Sequence, residues 1–105
     1  MGAFKIDFPH SLEHADAKAR CEALLDYWSR KYGVKASWVA DKATFKGSVM
    51  GITFDGWFNV GPKAVTGEAT DPGFLFRGKA MDYFKRKFGF YLDPKKQLKD
   101  VQGET

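Results

Sequence analysis

His10 and His14 stand four residues apart, the step at which two imidazoles can clamp a zinc ion from one helix face. His10, however, precedes Ser11, the residue placed to cap the helix, so the two rings need not share a face. No third ligand stands out. The pair reads as helix-start and surface histidines, and no metal site is expected. Cys21 is the only cysteine, which excludes an internal disulfide and a CxxC site. It falls on an apolar helical stripe, whereas a reactive thiol wants an exposed, electropositive setting. Gly47-Ser48-Val49-Met50-Gly51 is superficially like a nucleophile elbow. The elbow needs Gly-x-Ser-x-Gly between a strand and a helix, and this segment joins two strands with its serine misplaced. Gly61-Pro62-Lys63 and Gly78-Lys79-Ala80 lack the ending of a phosphate loop. Asp55, beside Gly56 and Trp57, could serve as an acid or base, but it reads as a solvated strand carboxylate. No catalytic residue and no cofactor is expected.

The aromatic surplus is more informative. Aromatics make up 16% of the 105 residues, and ten of them are Phe. One small core does not need all of Trp57, Phe76, Tyr83, Phe90 and Tyr91. Charge is also uneven. Seventeen basic and thirteen acidic residues give +4. Residues 76–99 alone carry eight cations against Asp82 and Asp93, a balance of +6. Phe74, Phe76, Arg77, Lys79, Tyr83, Lys87, Phe90 and Tyr91 are therefore the candidate binding surface. Aromatic plus basic suits another chain, a lipid or polymer surface, or single-stranded nucleic acid. No nucleic-acid signature is present, so no specific nucleic-acid partner is expected.

Regular elements must hold these residues in place. Phe4 to Phe8 alternates apolar and polar, as a half-buried strand does, and Pro9 stops it. Ser11 suits a helix cap. Leu12 to Tyr32 lacks Pro and Gly, and Ala17, Cys21, Leu24, Leu25, Trp28 and Tyr32 form one stripe. Gly33 suits a left-handed stop. Period two then takes over in four strands: Val34 to Ala40, Ala43 to Gly47, Ile52 to Val60 and Val65 to Ala69. Asp41-Lys42, Ser48 to Gly51 and Gly61-Pro62 make the turns. Short connections imply an antiparallel meander with one apolar face. Asp71-Pro72 looks like a second helix start, and Gly89 its stop. Phe90-Tyr91-Leu92 is an apolar coda that can pack back on the sheet.

The fold class is therefore α+β, a two-layer sandwich in the order β-α-β-β-β-β-α. A mostly antiparallel sheet of about five strands carries two helices on one face. Pairing of the first strand is not determined. Residues 1–93 read as one domain, and 94–105 as a polar, disordered tail. The chain has no secretory signal and no run of ~20 apolar residues, which points to the cytoplasm. An open sheet edge would make a homodimer easy.

Pro9-His10-Ser11-Leu12, Lys31-Tyr32-Gly33, Phe45-Lys46-Gly47, Met50-Gly51 and Phe76-Arg77-Gly78-Lys79 occur in an order and spacing that resembles one family. It is the small bacterial family of polyhydroxyalkanoic acid system proteins, and the resemblance runs from about Phe4 to Pro94. It implies a cytoplasmic, granule-associated accessory role beside polyhydroxyalkanoate storage. Implied partners are the granule surface or granule-associated proteins. It supplies no catalytic residue. The alternative reading is a binder of a small hydrophobic acyl or hydroxyacyl ligand between sheet and helices. Gly47, Gly56 and Gly67 fall on the inward face there, and a cavity of at least ~300 Å³ is required.

Overall fold

The computed structural model describes residues 3–49, 51–70 and 73–103, with the side chains of Ala3, Phe4, Val49, Ile52 and Phe74 outside the description. In chain order the elements are β1 (Ala3–Pro9), α1 (His14–Tyr32), β2 (Lys35–Val39), β3 (Lys42–Val49) and β4 (Ile52–Val60). β5 (Ala64–Thr70), α2 (Phe74–Tyr91) and α3 (Leu98–Gln102) complete the chain. The strands form one antiparallel sheet in the order β1-β5-β4-β3-β2. The α+β class and the antiparallel sheet of five strands agree with the sequence reading; β2 to β5 form the meander, and β1, whose pairing the sequence left open, adds beside β5.

β1 pairs with β5, setting Ile6 opposite Gly67 and Phe8 opposite Val65. That register places the apolar residues of both strands on one face, because opposed residues of antiparallel strands point the same way. Ile6, Val65, Ala69, Phe58, Phe54, Phe45 and Ala43 form the sheet side of the core. α1 and α2 cover it with Ala17, Cys21, Leu24, Trp28, Ala80, Phe84 and Phe88. Aromatic rings interlock across the layers: Phe84 lies 5.2 Å from Phe54, and Phe88 lies 5.6 Å from Phe58. The outer face of the sheet is polar, with Trp57 half-buried on it under Lys42 Nζ at 4.7 Å.

Several boundaries differ from expectation. α1 starts at His14, two residues later than expected, after an N-cap at Glu13 that makes no side-chain cap bond. Ser11 is thus not the cap, because His10 occupies this corner: its Nδ1 accepts from the Leu12 amide at 3.1 Å. Gly33 does end α1, at φ 72° with its amide donating to Ser29 O. Val34 lies outside β2. The first hairpin turns on Ala40 and Asp41, one residue early, with Ala40 at φ 54°. Gly89 does not stop α2, which continues through Phe90 and Tyr91. The core accounts for that extension, since Phe88, Tyr91 and Leu92 are all buried in it. The Asp71-Pro72 helix start and Met50 of the expected turn lie outside the described residues.

The expected disordered tail is also corrected. Residues 98–102 form α3, and Val101 is buried in the core. The Gln97 amide donates to Asp100 Oδ2 at 2.9 Å, which supports its first turn. The reason lies far upstream. Arg20, only 3% exposed, sends its guanidinium to the carbonyls of Tyr91, Asp93 and Lys96. A buried cation collects these acceptors and holds the loop against α1.

Candidate functional site

The eight candidate surface residues lie on or at the start of α2, but they do not form one patch. Phe76 and Tyr91 are fifteen residues apart, about 22 Å along a helix. Phe76, Tyr83, Lys87 and Phe90 share a stripe by helical geometry. Their environments change along it.

Tyr91 is 0% exposed and belongs to the core, so its place in the surface is corrected: its position on α2 turns it toward the sheet beside Phe84 and Phe88. Tyr83 is half-buried, and its hydroxyl accepts from Trp28 Nε1 at 2.8 Å. Lys87 is half-buried, with Nζ 4.4 Å from the Tyr27 ring and 5.8 Å from that of Tyr83. Phe90 is half-buried under Lys96 Nζ at 5.2 Å. Tyr83 and Lys87 thus join α2 to α1, and Phe90 meets the loop that follows α2. The Phe74 side chain lies outside the described residues.

The start of α2 differs. No described side chain from Leu75 to Lys79 is buried, and burial begins only at Ala80. Phe76 is 44% exposed and Leu75 71% exposed, with Arg77 and Lys79 exposed beside them. Strand register explains the overhang. Phe54, near the end of the sheet, meets Tyr83 and Phe84. Leu75 precedes Phe84 by nine residues, so the helix runs roughly 13 Å further past that row. The β3–β4 hairpin, closing through Val49 and Ile52, reaches out at the same end. Leu75 is not among the residues that composition and charge single out. A signal for it does exist: it falls off the Ala80/Phe84/Phe88 stripe, on the side of Lys79 and Arg86.

The histidines are occupied by structure. His10 Nε2 donates to Gly61 O at 2.9 Å, and with Nδ1 accepting from Leu12 both ring nitrogens are used. His14 Nε2 lies 2.9 Å from Val60 O and 3.1 Å from Asp41 Oδ2, pinning α1 to the end of β4. Among the described residues no group of three His, Cys, Asp or Glu side chains converges. Asp55 is exposed on the outer sheet face.

Cys21 is buried, and desolvation, with a smaller push from Glu22, moves its thiol from 9.0 up to about 12. At pH 8 the folded protein is expected to resist a thiol-specific disulfide reagent that labels the unfolded chain at once. The unfolded thiol loses its proton first, so this group favours folding fully below pH 9.0. That contribution is lost as pH rises toward about 12. A denaturation series from pH 8 to pH 11 checks the sign; rising stability there would contradict it.

The cavity that the alternative acyl-binding reading requires is not found between the layers among the described residues. The space lined by Trp28, Val34, Phe45, Phe54, Tyr83 and Phe84 is about 10 Å³. The inward glycines mark close approaches rather than missing volume. A Cβ on Gly47 would lie 2.8 Å from Val34 Cγ2, and one on Gly56 would lie 2.3 Å from Glu68 O. A larger groove, about 390 Å³, is open to solvent between β1 and the end of α2. Its floor includes Phe8 and Phe88, stacked at 4.8 Å. Among the described residues no helix is long and apolar enough to cross a membrane.

No curated protein and no solved structure matches the chain. The family model described as polyhydroxyalkanoic acid system protein matches residues 4–87, most of the chain and nearly all of the two-layer fold described above, and the chain belongs to that family.

Proposed function

We propose that this protein is a non-enzymatic accessory of polyhydroxyalkanoate storage that binds the polyester granule surface with the projecting start of α2. The observation that carries this reading is the overhang itself. Leu75 and Phe76 stand 71% and 44% exposed at the end of a helix that is well packed from Ala80 onward. An insoluble polyester offers apolar area for those side chains, while Arg77 and Lys79 remain in the aqueous layer, as at other apolar–water boundaries. Family membership supports the storage context. The narrow space between sheet and helices disfavours an enclosed acyl ligand. Such a ligand would have to lie in the open groove over Phe8 and Phe88.

Co-sedimentation with protein-free polyhydroxybutyrate particles tests the proposal. Binding is expected to resist salt, because apolar burial is unscreened. Leu75→Ser with Phe76→Ser is expected to weaken binding about tenfold or more, since full burial of such side chains contributes about 1.5–3 kcal/mol each. Both positions are exposed, so the melting temperature should hold. Three results would overturn the reading: binding unchanged in that variant, binding to native granules but not bare polyester, or salt-sensitive binding to anionic liposomes alone. The second would identify a granule protein as the partner, and the third a general anion patch.

A further inference from the structure

α1 and α2 cover one face of the sheet and leave the other open. Strand register fixes what stands on that open face, because opposed residues share a face. β3 presents Lys42, Thr44 and Lys46 there, all exposed. Across β4 these face Asn59, Trp57 and Asp55 in turn. On its other side Lys46 faces Lys35 of β2. Like charges directly opposed destabilise a sheet, and a bound anion would relieve the Lys35–Lys46 pair. Among the described residues Lys35, Lys42 and Lys46 form no ion pair, not even Lys46 with Asp55. Lys42 instead rests over the Trp57 ring, with Nζ 4.7 Å from its centre. The rest of the open face has the opposite balance: Asp7, Asp55 and Glu68 stand there with Lys5, which opposes Glu68.

We propose that the open face of β2, β3 and β4 binds single-stranded nucleic acid without reading its sequence. Charge selects a polyanion, and the layout selects a single strand. Lys42 and Lys46 are roughly 13 Å apart along β3. Trp57 lies opposite Thr44, midway between them. A cation, an aromatic ring and a second cation in line suit a strand that lays phosphates on the ammonium groups and a base on the ring. Lys42 is exposed, so its cation–π contact is weak, and its ammonium exchanges the ring for a phosphate.

Width disfavours other polyanions. Neighbouring strands lie about 5 Å apart, so the track from β2 to β4 is roughly 10 Å across. A duplex or an anionic membrane is wider and meets the carboxylates of Asp55, Glu68 and Asp7. The cations of residues 76–99 lack this layout. Arg86 and Lys87 lie over the Tyr83 and Tyr27 rings, and Lys96 pairs with Asp93. The track is on the face away from the helices, so the inference does not rest on the polyester reading.

Fluorescence anisotropy of a labelled oligothymidylate of about 12 nucleotides, titrated with the full chain, tests the inference. A dissociation constant on the order of 100 µM is expected at low salt. With three lysines on phosphates, log K should fall against log salt with a slope of about −2, at about −0.7 for each contact. Lys42→Gln and Lys46→Gln should each flatten that slope by about 0.7. Trp57→Leu should weaken binding about tenfold at unchanged slope. The lysines are exposed, so their variants should melt like the parent, and they keep the test decisive if Trp57→Leu unfolds. Four results would each overturn the inference: no binding at about 1 mM protein, a slope indifferent to both lysine variants, equal affinity for a duplex or for anionic vesicles, or binding lost instead in Arg77→Gln with Lys79→Gln.

Discussion

Arg20→Ala is expected to cost about 3–5 kcal/mol of folding stability. The guanidinium is 3% exposed and bonds to the carbonyls of Tyr91, Asp93 and Lys96. Its Nε also donates to Asp16 Oδ1 at 3.0 Å, one turn back on α1. Truncation would take the guanidinium donor away from those carbonyls, leaving Asp93 O only the Lys96 amide at 3.1 Å, and open a void beneath them. Against a typical total of about 5–15 kcal/mol, that is a large loss. Asp16→Ala is the control. Its side chain is 38% exposed and the three carbonyls still hold the guanidinium, so removing it is expected to cost clearly less, about 1–2 kcal/mol. Urea unfolding of the three proteins measures both numbers. Limited proteolysis should also cut first between Leu92 and Gly103 in Arg20→Ala. If the two substitutions cost the same, Arg20 is not the anchor of the C-terminal segment.

Gly67→Val is expected to be at least as damaging, about 3 kcal/mol or more, and to leave little folded protein. A Cβ at Gly67 would lie 2.1 Å from Trp57 O and 2.6 Å from Phe58 Cα. Both are backbone atoms of β4, so no rotamer change relieves the clash; the β4–β5 pairing itself must shift. That pairing carries β1 on its far side, and disruption would spread to the whole sheet edge. Gly89→Ala is the opposite case. A Cβ at Gly89 of α2 would meet no atom within 4 Å, and alanine is the better helix former. It is expected to stabilise by about 0.5–1 kcal/mol. Melting curves of the two variants separate the steric role from the conformational one. A Gly67→Val protein that melts within a degree or two of the parent would refute the close approach.

Local signals in the sequence carried far, because they report physics within a few residues. The stripe from Ala17 to Trp28 has helical spacing, and those residues are buried. The alternation of Phe54, Gly56 and Phe58 against Asp55 and Trp57 placed the two faces of β4 correctly. Gly33 marked the end of α1 through its left-handed conformation. At the end of α2 the local signal was overruled. Gly89 is a helix stop by propensity, but burial of Phe88, Tyr91 and Leu92 outweighs its cost of about 1 kcal/mol.

The candidate surface was legible as composition and not as geometry. Phe76, Arg77 and Lys79 are exposed together, yet Tyr91 is core and Tyr83 and Lys87 are engaged with α1. Exposure of an aromatic on an amphipathic helix depends on what lies opposite it, and the sequence of α2 does not contain that. Leu75 stands out only once the end of the sheet is located.

By itself, then, the sequence determined the types and order of the elements from β1 to α2 but not α3, the inward face of each strand, and the family, since all three rest on spacing along the chain. Tertiary structure alone decided that β1 closes on β5, that Arg20 captures the 91–96 carbonyls, and that α2 overhangs the sheet. Each of these joins residues distant in sequence, and the free energy that selects them arises only when the layers meet.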